Sequence, residues 1–208
     1  MGTTYNGDTP DYIVDGVLTD GEAWVPLITT TVDSGGAASI TWASQIGSSA
    51  FKPNSANNWS QYQDLIIISN CRNEGGSNDY TLIVEPNADT YASDKNLSQR
   101  IDTGQGSTSF FAWQGYMFMQ IASAGGGSTA NTFTGSITTL YDINSGKWLV
   151  SETLASMERG GAGTVGFGQN AYKRTTGVAS LKIRNTGGVD LAEGSRFDLF
   201  GVLPRMVS

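Results

Sequence analysis

The sequence predicts an all-β fold: an antiparallel two-sheet β-sandwich, jelly-roll-like, with an extended N-terminal arm. Three observations predict it. Apolar and polar residues alternate over short runs, the period of a strand with one buried face. Gly, Ser, Thr and Asn number 27, 22, 22 and 13 among 208 residues, which is strand and turn chemistry rather than helix chemistry. Turn signals separate about ten such runs at roughly 10- to 15-residue spacing, and no long amphipathic helix pattern interrupts them. A chain of this length can bury a core as one domain without metals or disulfides. No strict repeat is visible, which argues against a propeller or solenoid.

Residues 1–23 form the arm, with Asp8, Asp11, Asp15, Asp20 and Glu22 around the apolar Tyr12-Ile13-Val14; residues 24–208 form the sandwich. Trp24 to Val32 reads as a strand whose Pro26 sits near its start, where an edge tolerates it. After the turn Asp33-Ser-Gly-Gly36, the alternation Ala38-Ser-Ile-Thr-Trp42 predicts the returning half of a hairpin. Residues 43–63, rich in Ser, Asn and Gln, read as a loop anchored to the body by Trp59 and Tyr62. The continuous run Leu65-Ile-Ile-Ile68 predicts a strand covered on both faces. A turn at 74–78 leads to a second returning strand, Tyr80 to Val84, stopped by Pro86. Residues 87–108 are polar and read as a long connection, a length that favours a functional or covering loop.

Residues 115–123 read as a central strand, with a helical turn at 107–113 left open by periodicity. Phe133 to Ile143 alternates, Asn144-Ser-Gly146 is a tight hairpin turn, and Trp148 to about Met157 is its partner. Val165 to Tyr172, Val178 to Ile183 and Phe197 to Val202 complete the set.

Composition excludes several chemistries. With no histidine, a Ser/His/Asp triad, a His-ligated metal and a histidine pH switch are ruled out. Cys71 stands alone, so no intrachain disulfide and no CxxC site forms. The net charge of −7 argues against nucleic-acid binding, which draws on clustered Lys and Arg. No apolar run approaches the roughly 20 residues that cross a bilayer, so no membrane partner is expected. The segment MGTTYNGDTPDY lacks a basic region before an apolar one, so no secretory leader is expected.

No catalytic residue, cofactor site or metal site is predicted. The spacing Asp8, Asp11, Asp15 fails the alternating oxygen template of a Ca²⁺ loop, so solvated acids are the plainer reading. Glu74, Asp79, Glu85, Asp89 and Asp102 flank the second hairpin, but nothing marks two of them as the facing pair of a glycoside hydrolase. The glycine groups at 125–127 and 160–163 lack the following helix and Lys-Ser/Thr of a phosphate loop. Cys71, in a strand pattern, reads as a small buried hydrophobe. Trp24, Trp42, Trp113 and Trp148 fall in strand-like or strongly apolar segments and read as core anchors. Trp59 reads as the peripheral tryptophan. Exposed Trp and Tyr stack on sugar rings, so Trp59 and Tyr62 are the candidate glycan contacts.

Three segments carry a resemblance. Ile28-Thr-Thr-Thr-Val-Asp-Ser-Gly-Gly-Ala-Ala-Ser-Ile-Thr-Trp42 is similar to the opening hairpin of tailed-bacteriophage virion surface proteins. Tyr62-Gln-Asp-Leu-Ile-Ile-Ile-Ser-Asn-Cys-Arg72 resembles their Tyr, Asp-Leu and apolar strand ending near Ser and Arg. Val178 to Val202 resembles their closing strands, with a Gly-Ser turn before an alternating strand. The group's Asn-Gly-Asp turn is replaced here by Pro86-Asn-Ala-Asp89, and residues 1–23 have no counterpart. In that group such jelly-roll sandwiches serve as capsid decoration proteins, head fibres and tail-fibre modules.

The resemblance implies a non-enzymatic virion protein, assembled in the host cytoplasm and placed on the outer surface of the particle. The leading expectation is a capsid decoration (cement) protein. It would be a homotrimer on the major capsid protein shell, docking through Tyr12, Ile13 and Val14. The alternative is a tail-fibre or head-fibre module that recognises a host glycan or receptor through Trp59 and Tyr62. A polysaccharide-active enzyme is the third reading.

Overall fold

The computed structural model describes residues 2–5, 13–14, 17–18, 24–44, 58–75, 80–88, 96–104, 107–114, 117–120, 128–159, 162–173 and 175–204. Its strands are, in order, β1 (Gly2–Tyr5), β2 (Ile13–Val14), β3 (Val17–Leu18), β4 (Trp24–Thr31), β5 (Ile40–Ala43), β6 (Asp64–Cys71), β7 (Leu82–Pro86) and β8 (Asn96–Gly104). There follow β9 (Ser107–Gln114), β10 (Met117–Gln120), β11 (Thr134–Tyr141), β12 (Leu149–Arg159), β13 (Ala162–Tyr172), β14 (Ser180–Asn185) and β15 (Arg196–Val202). One 3-10 turn, Trp59–Gln61, precedes β6.

The molecule is an all-β, antiparallel two-sheet sandwich. The large sheet has nine strands in the order β1-β4-β15-β6-β11-β12-β13-β8-β9, and the small sheet has four, β10-β7-β14-β5. The strands that face across the core are β4, β5, β6, β7, β10, β11, β14 and β15. Numbered one to eight along the chain, they lie 1-8-3-6 in one sheet and 2-7-4-5 in the other. That interleaving is the winding of a double Greek key, as in a jelly roll. β12, β13, β8 and β9 extend the large sheet beyond β11 as a wing.

Several sequence expectations are corrected here. β4 and β5 do not form a hairpin, and neither do β6 and β7; each pair has one strand in each sheet. A turn signal marks where the chain reverses. Whether the next strand pairs with the last or crosses the core depends on partners distant in sequence. The hairpin of β11 with β12 does form, from Tyr141 opposite Val150 to Gly135 opposite Ser156. Residues 96–104 and 107–114, read as connection and a candidate helical turn, are the paired strands β8 and β9. The expected central strand at 115–123 is β10, four residues at the rim of the small sheet. The arm is tied to the sandwich at its start, because β1 pairs with β4 from Gly2 opposite Thr31 to Tyr5 opposite Ile28.

Both sheets contribute to one core. The register of β4 against β15 shifts between Leu199 and Phe200, a bulge that lets the consecutive Leu27 and Ile28 both face inward. Leu65, Ile66 and Ile67 are all buried, so β6 is covered on both faces as its apolar run predicts. Trp42 of the small sheet is fully buried and donates its Nε1–H to Thr30 Oγ1 of the large sheet at 2.9 Å, joining the layers through the core.

At one end, the segment between β14 and β15 stitches the other two crossovers. Ala37 and Leu191 exchange both backbone hydrogen bonds, at 2.9 and 2.8 Å. Ala192 N–H donates to Arg72 O at 2.8 Å, and Ser195 Oγ accepts from Arg72 N–H and donates to Arg72 O. At the other end, Asn144 Nδ2 donates to the carbonyls of Trp59 and Tyr62, at 3.0 and 3.2 Å.

Gly201 shows how tightly this second end is packed. A Cβ there would lie 2.5 Å from Cδ1 of the buried Tyr62 ring. Gly201→Ala is therefore expected to destabilise the fold by about 1–3 kcal/mol, the usual cost of overpacking. Urea denaturation of the two proteins measures it, and an unchanged midpoint would contradict the packing argument.

Candidate functional site

Two of the three expected docking residues, Ile13 and Val14, lie in a small element of their own. Ile13 pairs with Leu18 and Val14 with Val17, in a two-stranded hairpin belonging to neither sandwich sheet. Tyr12 lies outside the described residues, as do Asp8, Asp11 and Asp15.

The two candidate glycan contacts are placed inward, against expectation. Trp59 is fully buried and Tyr62 nearly so. Asn58 caps the 3-10 turn by accepting from Ser60 N–H at 3.2 Å. Trp59 N–H donates to Ser44 Oγ at 3.1 Å, and Asn144 holds the carbonyls. These bonds fix residues 58–62 against the body, as the expected anchoring by Trp59 and Tyr62 requires, and leave neither ring face open to a sugar. The exposed indoles are instead Trp24 and Trp148, at 48% and 46%, both expected in the core. Trp24 leans on Phe200 with ring centroids 6.2 Å apart. Trp42 is in the core as expected, and the Trp113 side chain lies outside what is described.

Among the described residues, exposed large hydrophobics gather on the outer face of the large sheet. Ile68, Ile137, Leu154, Phe167, Ile101 and Phe110 stand directly opposite one another, strand by strand, from β6 to β9. Residues in register share a face, so these six form one row, roughly 24 Å long at the usual strand spacing. Leu154 is 58% exposed and Phe110 75%; Val165, beside the row, is 62% exposed. Sequence reasoning missed this band because its members are far apart in the chain, one or two per strand, and meet only through pairing.

The inward side of the same strands is largely hydroxylic. Ser136, Thr138, Ser151, Thr153 and Asn170 are buried. Thr138 and Thr153 hydroxyls lie 2.9 Å apart, and Asn170 Nδ2 donates to Ser151 Oγ at 2.9 Å. The wing thus departs from the usual rule of an antiparallel sheet, apolar inward and polar outward.

The titratable groups are tied into structure. Glu85 is almost fully buried, and its carboxylate accepts from Arg184 Nη2 at 2.8 Å and Nε at 3.1 Å, with Lys182 Nζ at 3.9 Å. Burial pushes the Asp64 carboxyl above its ordinary range, against the lowering effect of the Asp142 N–H that it accepts at 2.8 Å. Desolvation, then the neighbouring Glu152, raises the Tyr141 phenol, whose hydroxyl donates to Glu152 Oε2 at 2.8 Å. Among the described residues, no three His, Cys, Asp or Glu side chains converge as a metal set. The arrangement offers shape and apolar surface for binding. Comparison of the chain with protein-family models, curated proteins and solved structures returns no match.

Two measurements test this reading of the titratable groups. Burial pushes the Cys71 thiol up to about 12, and only the thiolate reacts. A disulfide reagent at mild alkaline pH is expected to leave the native chain unmodified and to label it on unfolding; fast native labelling would contradict the assignment. The native state releases the Asp64 proton less readily than the unfolded chain. This group therefore costs stability above the ordinary carboxylate range and nothing well below it. Asp64→Asn keeps an acceptor for the Asp142 N–H and should raise the melting temperature at neutral pH, with the gain vanishing near about pH 3. A gain of equal size at both pH values would show that charge is not its source.

Proposed function

We propose that this chain is a bacteriophage virion structural protein, specifically a capsid decoration protein that binds the outer surface of the major capsid protein shell as a homotrimer. It is assembled in the host cytoplasm, catalyses no reaction, and docks through the segment containing Tyr12, Ile13 and Val14. One observation carries the reading. The three segments that resemble virion proteins are those that fold into β4 with β5, β6, and β14 with β15, five of the eight interleaved strands. The resemblance therefore lies on the architecture itself. A second support is the hairpin of β2 and β3, which stands apart from both sheets although the chain is tied to β4 just before it.

A second reading, a fibre module that binds a host glycan, is favoured by a different observation. Trp24 and Phe200 present an aromatic pair on the outer face of the large sheet. That pair replaces Trp59 and Tyr62 as the stacking site, and Trp24→Ala is the variant that tests it on a glycan array.

Copy number separates the two. Under the leading proposal, quantitative mass spectrometry of purified particles encoding this chain finds it in numbers comparable with the shell subunit. A few copies per particle would favour the fibre reading, and absence from particles would overturn both. Burying Ile13 and Val14 contributes about 1.5–3 kcal/mol each. Ile13→Asp with Val14→Asp is therefore expected to weaken co-sedimentation with particles at least about tenfold, with the circular dichroism spectrum unchanged. These substitutions leave β1 in place, whereas deleting residues 1–22 would also strip an edge strand from β4.

A further inference from the structure

We infer that the outer face of the wing, from β11 to β9, is a self-association surface whose occupant is another copy of this chain. The inference stands apart from any location on a particle and rests on three observations.

The first is the polarity of the wing. Across its middle, the inward Thr138 and Thr153, and Ser151 and Asn170, hydrogen-bond each other, while Ile137, Leu154, Val165 and Phe110 face outward. Scattered exposed hydrophobes are ordinary, but a contiguous band of large ones marks a contact site, on the order of several hundred Å² in extent. A standard interface takes roughly 800 Å² from each partner. Across the middle of these strands the large apolar side chains are thus on the outer side.

The second is charge. The chain carries a net charge of −7, so copies repel over most of their surfaces. On this part of the face the acids that share the outward side of β12 with Leu154 are Glu152 and Glu158, off the apolar row on either side of it, and Glu152 is engaged by the Tyr141 hydroxyl at 2.8 Å. Two such faces can meet without opposing like charges in their centre.

The third is the rim. β9 ends the large sheet and, among the described residues, pairs only with β8. Its sequence, Ser-Thr-Ser-Phe-Phe-Ala-Trp-Gln, has no charge, proline or glycine. Natural edge strands that meet solvent are blunted by such residues. An unguarded edge beside the apolar band is what a covered edge looks like.

Sedimentation of the full chain at micromolar to 100 μM concentration tests the inference. The wild type is expected to be a dimer or trimer, and Leu154→Glu to weaken association by about 30-fold or more, as at an interface hot spot. Val165→Glu repeats the test at a second exposed position should the first variant fold poorly. Thr41→Glu adds the same charge to the exposed face of the small sheet and should leave association intact. A monomeric wild type would falsify the proposal. So would an oligomer indifferent to both wing variants, or one weakened equally by Thr41→Glu.

Discussion

The constraint on which the rest depends is the bundle of crossovers at one end of the sandwich. Three times, a chain that has finished in one sheet must begin in the other. An isolated crossover would leave polar backbone beside an apolar core, where unpaired groups are costly. Here they satisfy one another. Leu191 fills the end of the core and exchanges both backbone bonds with Ala37, while Ser195 and Ala192 close on Arg72. β4, β6 and β15 are neighbours because their ends are held together there. That order in turn puts Trp42 under Thr30 and leaves β11 as the platform from which the wing grows.

The same sheet obeys two rules on either side of β11. Across β4, β15 and β6 the large inward side chains are Leu27, Ile28, Leu65, Ile67, Phe197 and Leu199, as for any sandwich. Across the middle of β11, β12 and β13 they are Ser, Thr, Gly and Asn, and the large apolar residues have moved outside. Cross-strand hydroxyl pairs hold such a surface at modest strength, each worth a fraction of a kcal/mol to about one. The sandwich proper is therefore self-sufficient in a way that the wing is not.

Much of this was legible in the sequence, and the illegible part has a physical cause. Period-two alternation and turn chemistry are local, so ten strands of the sandwich and wing stand where the pattern puts them. Sheet membership is not local: β4 with β5 looks the same in sequence as β11 with β12, yet one pair crosses the core and the other zips. β8 escaped because Asn-Leu-Ser-Gln-Arg-Ile-Asp-Thr-Gly has little apolar contrast; its strand character comes from pairing with β13 along its whole length. Trp59 looked peripheral because its neighbours are polar. Those neighbours prove to be the ligatures, Asn58 and Ser60 shaping the turn that carries the ring inside. The candidate site was the least readable of all, since a row assembled from six strands has no signature in any one of them.

The placement of the indoles gives the molecule a built-in optical gauge. Trp42 and Trp59 are sealed in the core, whereas Trp24 and Trp148 are half open to water. Separation of the two layers would wet Trp42 and shift its emission to longer wavelength. An event confined to the rim of the large sheet would change instead how readily a soluble quencher reaches the outer pair. The emission of these four indoles can thus tell loosening at the surface from opening of the sandwich, without any added label.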